Sequence, residues 1–398
     1  MKQLYRPLAT LVIIVILAVL LAFVHHKPSP PPSKPHVSAP QIQAALWRDY
    51  KQHYWQNGRA FDPQNNGDTT SEAQSYTLLR AVWENDRPTF DATWAWTSQN
   101  LQRSDKLFSW KWGKQPDGSS GVLTSQGGDN TASDADTDIA LALLLAGNKW
   151  RSTDYTQAAA AIIPAIWEQE VVTIRSQPYL TADQLEKNSP NPLLNPSYFA
   201  PYAYRLFAPL DLAHPWSQLA ANSYTALQTA SQQQLGSDTS AGLPPDWVQI
   251  SKQSGQITAA TGQGHDTDFG YDALRAVWRT ALDYQWNGTA AAKSTLASFS
   301  ALADDWDHSH QLYAVYHHDG KPAVQYPSYA MYGASLGYFS IIHPATATAI
   351  YKAKFVPLYD SAHRQLTKTL NYYDNNWAWF GLALYGHQLP KLAPGGAI

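Results

Sequence analysis

The chain has no cysteine among its 398 residues. That excludes a disulfide framework, a thiolate metal site, a cysteine nucleophile and a lipid carried on an N-terminal Cys. Net charge is nearly absent as well: 28 Lys+Arg against 31 Asp+Glu leave −3 at pH 7, with a pI near 6.5. No basic stripe stands out along the chain, so nucleic acid is not expected as a partner. Alternating β-branched runs are scarce, which argues against a fold built on strands. No repeat of fixed period is found, which argues against an open solenoid.

What is present points elsewhere. Apolar residues make up 44% of the chain, enough for a sizeable core, and 16 Trp and 23 Tyr are unusual in number. Many of these rings must belong to the core, while others suit a groove whose flat faces stack on the C–H faces of sugars. Near the N-terminus, Lys2 and Arg6 precede an apolar run of 17 residues from Leu8 to Val24. That length is near the lower limit for a spanning helix and the upper limit for a signal-peptide core. No small-x-small cleavage site follows, so residues 1–27 read as an uncleaved signal anchor or transmembrane segment. The Pro-rich stretch 28–40 reads as an extended spacer. Residues 41–390 then form one exported domain, anchored at the cell surface or secreted if the signal is cleaved. Helical periodicity recurs from Gln41 onward, as in "QIQAALWRDYKQHYW" and "YDALRAVWRTALDYQW", and predicts roughly ten to twelve helices. Only "QLYAVYHHDGKPAVQYP" reads as a small hairpin, turning at Asp319-Gly320. The economical fold is all-α, with paired helices closed into a ring.

Three acidic segments carry the candidate chemistry. In "NTASDADTDIALALLLAGNKW" (130–150), Asp134, Asp136 and Asp138 run into an apolar helix. Ser133 or Asp134 could cap that helix, with the other aspartates favouring the positive end of its dipole. An EF-hand is rejected, because its sixth position would be Ile139 instead of Gly and its twelfth Leu145 instead of Glu. In "TTSEAQSYTLLRAVWEN" (69–85), Ser71 and Gln74 fit a capping box, which puts Glu72 at the first helical position. A helix mouth lowers a carboxyl pKa, so Glu72 can donate a proton only where burial or a nearby ionised aspartate overrides that effect. In "GHDTDFGYDALRAVWRTALDY" (264–284), Asp272 and Arg275 share a helical face. They form either a structural salt bridge or a base kept ionised by its arginine; Asp283 is the competing carboxylate.

Together these segments resemble glycoside hydrolase family 8. Its signature is met at Ala132, Ser133, Asp134, Ala135, Asp136, Ile139, Ala140 and Trp150. "SEAQSY" (71–76) followed by "FDATWAWTSQNL", then "NPSYFAPYAYRLFA" (195–208), "GLPPDWV" and "YYDNNWAWFGLALY", resemble further landmarks of the family in the same order. The resemblance runs from about Gln41 to Gly386. It implies an (α/α)6 barrel of helical hairpins that cleaves β-1,4 linkages in cellulose, mixed-linkage glucan, xylan or chitosan with inversion. It also implies Glu72 as general acid, Asp134 beside the sugar at the cleavage subsite, and Asp272 as general base. Tyr198 and Arg275 would help around the base and its water, and Trp112, Tyr329 and Trp377 would bind substrate. An ionised Asp134 near Glu72 would raise the pKa of Glu72 by repulsion. No cofactor or metal is implied. The expected partners are a β-glucan and, through the N-terminal helix, the membrane, and the protein is expected to be a monomer. The competing readings are an inactive relative that binds polysaccharide, a xylan- or chitosan-specific hydrolase, and a helical-barrel polysaccharide lyase.

Overall fold

The computed structural model describes residues 37–392 apart from 238 and 263. The apolar run Leu8–Val24 and residues 28–36 of the Pro-rich spacer lie outside these residues. Among the described residues, no helix is long and apolar enough to cross a membrane. The first helix begins at Ala39, where the Gln41 side chain accepts from the Ser38 N–H at 2.8 Å. Ala39 and Pro40, assigned to the spacer from sequence, are thus part of its first turn.

The described residues form thirteen α-helices: α1 (Ala39–His53), α2 (Ser71–Trp83), α3 (Arg87–Asn100), α4 (Ser133–Trp150), α5 (Thr153–Glu170), α6 (Pro201–Phe207), α7 (Trp216–Gln232), α8 (Leu274–Asn287), α9 (Ala290–Ala297), α10 (Ser300–Ser309), α11 (Tyr329–Ile342), α12 (Pro344–Ile350) and α13 (Tyr372–Tyr385). Six of them pack in succession: α2 on α4, α4 on α6, α6 on α8, α8 on α11 and α11 on α13. Arg80 of α2 joins the two ends of this series, donating to Asn376 Oδ1 at 2.8 Å and Asn375 Oδ1 at 3.1 Å on α13. A companion lies against each: α3 on α2, α5 on α4, α7 on α6, α9 on α8, α12 on α11 and α1 on α13.

Burial follows this arrangement. Every residue of α4 from Ser133 to Gly147 is buried, as is all of α2 except Glu72. A helix surrounded on all sides shows no amphipathic stripe, which is why α11 ("YAMYGASLGYFSII") escaped the periodicity reading. It also approaches α13 very closely: a Cβ on Gly333 would stand 2.1 Å from the Trp377 carbonyl oxygen, and one on Gly381 would stand 2.1 Å from the Gly333 oxygen. Only glycine permits that backbone contact.

Short strands, unexpected from sequence, organise the loops. Thr69–Thr70 pairs with Lys111–Lys114, which pairs with Ser120–Val122, so Trp112 lies opposite Thr69 just before α2. Leu193–Leu194, Val248–Ile250 and Ile257–Ala259 form a second three-stranded sheet. The hairpin expected at 311–327 is reduced to isolated bridges of Tyr316 with Phe269 and Pro322, although the chain does turn at Gly320 with φ +82°.

Candidate active site

The start of α2 is set one residue earlier than its sequence suggests. Thr70 is the N-cap, its hydroxyl accepting from the Ala73 N–H at 3.0 Å, so Ser71 lies inside the helix and Glu72 is its second residue. Gln74 is no capping partner. It is buried, donates to the Gly58 carbonyl at 3.0 Å and to the Thr97 hydroxyl at 2.7 Å, and accepts from the Ala60 N–H at 2.6 Å. These bonds tie α2 to the chain before it and to α3, which fixes where Glu72 points.

The signature helix α4 also departs from the capping reading. Its N-cap is Ala132, and the Ser133 hydroxyl instead donates to the Thr181 carbonyl at 2.6 Å. Each of the three aspartates has its own partner. Asp134 Oδ2 lies 3.3 Å from Arg275 Nη1, and Asp136 Oδ1 accepts from the Phe108 N–H at 2.9 Å. Asp138 is gripped at both oxygens by Arg279, at 2.8 and 2.6 Å. Residues four apart share a helical face, so Asp134 and Asp138 on α4 meet Arg275 and Arg279 on α8 as two successive rungs. Arg279 was missed from sequence, although its spacing from Arg275 matches that of the two aspartates.

Arg275 is the hub. Its side chain is 2% exposed. Nη1 pairs with Glu72 Oε2 and lies 3.4 Å from the Tyr76 hydroxyl, while Nη2 pairs with Asp272 Oδ1. Nε donates to the Ser197 hydroxyl and to the Asp272 carbonyl, both at 3.1 Å. The Tyr198 ring lies 5.1 Å beneath the guanidinium. Asp272 sits in the turn before α8, and its other oxygen, Oδ2, accepts from the Trp247 indole at 3.1 Å. Glu72, Asp134 and Asp272, from three distant segments, thus converge on one guanidinium.

Electrostatics follow from burial. Glu72, though its side chain keeps 24% exposure, is raised above the ordinary carboxyl range chiefly by desolvation among its packed neighbours, pulled back by Arg275 and pushed up again by Asp272. Burial also lifts Asp134 to about 7, against the pull of Arg275 and with a push from Glu72. Of the two influences expected to raise Glu72, burial leads, and the aspartate that supplies the strongest repulsion is Asp272, where Asp134 was expected. Behind Asp134, Asp136 faces Glu170. Both are fully buried and both are raised, Asp136 well above its usual range and Glu170 to about 8. Asp136 hydrogen-bonds to Glu170, which Thr131 also reaches, as expected of two buried carboxyls that face each other and retain protons.

The other expected residues divide. Tyr198 is at the hub. Trp112 lies beside the entry to α2, its ring 4.7 Å below the Arg59 guanidinium and edge-on to Trp96. One expectation fails. Trp377 is only 1% exposed, packed against Tyr76, Trp278 and Phe380, so it forms a wall behind the site and cannot stack on a ligand. Tyr329 lines a separate surface cavity of about 360 Å³ with Lys368 over its ring, and touches none of the three carboxylates. Asp283 is a buried structural group, held by Arg205 at 3.3 Å and the Tyr224 hydroxyl at 2.7 Å. Tyr373 of α13, missed from sequence, feels Arg275, Glu72 and Asp272 and donates its hydroxyl to the Tyr271 carbonyl.

One buried arginine thus gathers three carboxyl groups at the mouths of packed helices. The chain belongs to glycosyl hydrolases family 8, whose model matches residues 36–377. It is 34% identical over 260 residues to Endoglucanase A of Acetivibrio thermocellus, a match covering 63% of this chain and 50% of that protein. It is also 34% identical over 269 residues to an endoglucanase of Escherichia coli K12, covering 63% and 65%. Among solved structures, the endo-1,4-D-glucanase of Vibrio fischeri ES114 is similar, with a TM-score of 0.70 and 26% identity over 85% of this chain and 94% of that one. In the sequence matches, the chain spans about half the length of the clostridial relatives.

Proposed function

We propose that the protein is an exported, monomeric, endo-acting hydrolase of β-1,4 or mixed-linkage β-1,3-1,4 glucan. In this reading the six packed helical pairs form an (α/α)6 barrel, and hydrolysis inverts the anomeric carbon. The carrying observation is the convergence of Glu72, Asp134 and Asp272 on Arg275.

Each residue then has one task. Glu72, its pKa raised by burial, protonates the glycosidic oxygen as the bond to C1 breaks. Asp272, its charge supported by Arg275 and the Trp247 indole, takes a proton from the water that attacks C1 on the opposite ring face. Asp134, 1% exposed and paired with Arg275, is the carboxyl of the three set back from the sugar at the cleaved bond. Inversion calls for carboxyls about 6.5–9.5 Å apart, with room for that water. Here one guanidinium contacts both, Glu72 through Nη1 and Asp272 through Nη2. The 33% exposure of the Asp272 side chain leaves its carboxylate open to solvent.

The test is reducing-sugar release by the full chain from hydroxyethylcellulose, lichenan, xylan and chitosan. Release from the first two, lost in Glu72→Gln and in Asp272→Asn, supports the proposal. Polysaccharide binding with no release indicates an inactive binding module, and an ultraviolet-absorbing product indicates a lyase. Export is tested by fractionation: the intact chain should reach the cell surface, with its N-terminal run retained in the membrane.

A further inference from the structure

Asp246 and Trp247, in "GLPPDWV", are consecutive residues that converge on the turn carrying Asp272. Their backbone N–H groups are anchored first, Asp246 to the Asp268 carbonyl at 2.7 Å and Trp247 to the Asp266 carbonyl at 3.0 Å. From that anchored pair the side chains reach different parts of the turn. Asp246 Oδ1 accepts from the Ala273 N–H at 2.6 Å and the Gly270 N–H at 3.2 Å. Helix α8 has no cap of its own, since its N-cap position is Ala273. Asp246 instead ties down the turn that leads into the helix, accepting from two N–H groups that lie before its first residue. Gly270 is part of the device: a Cβ there would stand 2.5 Å from Asp246 Oδ2.

Trp247 addresses the carboxylate itself. Its indole donates to Asp272 Oδ2 at 3.1 Å, while Arg275 holds Oδ1. The indole is aimed by ring contacts to Tyr198 at 6.0 Å and to His265 at 4.8 Å. We infer that Asp246 and Trp247 are positioning residues for the base, Asp246 fixing the backbone of its turn and Trp247 fixing the rotation of its carboxylate. Because the carboxylate is held at both oxygens, the attacking water meets one orientation. The titratable groups facing Asp272 and its turn are Asp246, Asp266, Asp268, Arg275, Glu72 of α2, Tyr198 and Tyr373 of α13, with His265 beside them and His317 on Asp268. Asp246, half-buried beside Asp272, is raised well above its usual range by desolvation first and that neighbour second.

This inference rests on Asp272 being the base, and the experiment separates the two claims. Full-length Trp247→Phe, Asp246→Ala, Asp246→Asn and Asp272→Asn are compared by kcat, KM and the pH dependence of kcat/KM on a neutral β-glucan. Trp247→Phe keeps an aromatic ring, smaller than the indole, and loses the donor. It should lower kcat on the order of tenfold to a hundredfold, as expected for losing a hydrogen bond to a charged group, with KM close to wild type. Its acidic limb should move to higher pH, because the ionised base has lost a donor. Asp246→Ala should act in the same direction. Asp246→Asn should recover most of the rate, because the amide oxygen still accepts both N–H groups and the side-chain volume is kept. Wild-type kcat and an unmoved limb in Trp247→Phe, or a rise in KM alone, would overturn the positioning role. Lowered melting temperature with unchanged kcat in Asp246→Ala would do the same. An active Asp272→Asn would instead refute the assignment of the base.

Discussion

Replacing Glu170 by Gln tests the buried acid pair behind the signature helix. Glu170 rises from its ordinary 4.5 to about 8. Because its folded-state pKa exceeds its unfolded value, the native state binds the extra proton across the window from about 4.5 to 8. Stability is then fullest below pH 4.5 and falls as pH climbs through that window. At about 1.36 kcal/mol per pH unit, the loss attributable to this group is capped at about 5 kcal/mol. Gln cannot ionise, and its volume is nearly that of Glu, so the variant should lose this part of the slope. The groups facing Glu170 are Asp136, Asp134, Asp183 and Lys187. Asp134, lifted to about 7, contributes a residual slope of the same sign, so the variant should flatten without becoming level. The assay is urea unfolding from pH 5 to pH 8.5, followed by tryptophan fluorescence. Parallel slopes for wild type and Glu170→Gln, or wild-type stability that rises with pH, would refute the protonated pair.

Three further outcomes follow from the same structure. Asp138→Asn leaves Arg279 buried without its counter-charge and should cost roughly 3–5 kcal/mol, with partial recovery when Arg279→Met is added; urea midpoints measure both. Gly333→Ala drives a methyl into the Trp377 carbonyl and should lower stability by at least about 1–3 kcal/mol, read as a fall in Tm. Asp134→Asn should lower kcat while leaving the basic limb of the pH–rate profile close to wild type, since burial and Asp272 hold the proton on Glu72. A limb that drops by a full pH unit would make Asp134 the leading influence after all.

Sequence carried the site further than the fold details. The aspartate run, Glu72 and the Asp272–Arg275 spacing were legible because each lies within one local segment. That they meet at a single guanidinium was not, since nothing local says which helices face one another. The Asp138–Arg279 rung had a readable clue in its matched spacing, yet pairing it required knowing that α4 and α8 are neighbours across α6. Helix α11 hid because burial on every side removes the amphipathic period. The caps slipped by one residue because Thr70 and Ser71 are equally competent N-caps, and only the strand pairing of Thr69–Thr70 decides between them. Trp377 was misplaced because a tryptophan's sequence context does not distinguish core from groove. Asp246 acts on a turn more than twenty residues away, and no periodicity reports such a contact.

The central claim is that Glu72 and Asp272 work on opposite faces of the sugar ring through an intervening water. Proton NMR of fresh product, recorded as the full chain hydrolyses a β-1,4-gluco-oligosaccharide, tests it most directly. The account predicts that the α-anomer appears first and mutarotates later, and that Glu72→Gln yields neither anomer. The β-anomer appearing first would contradict it.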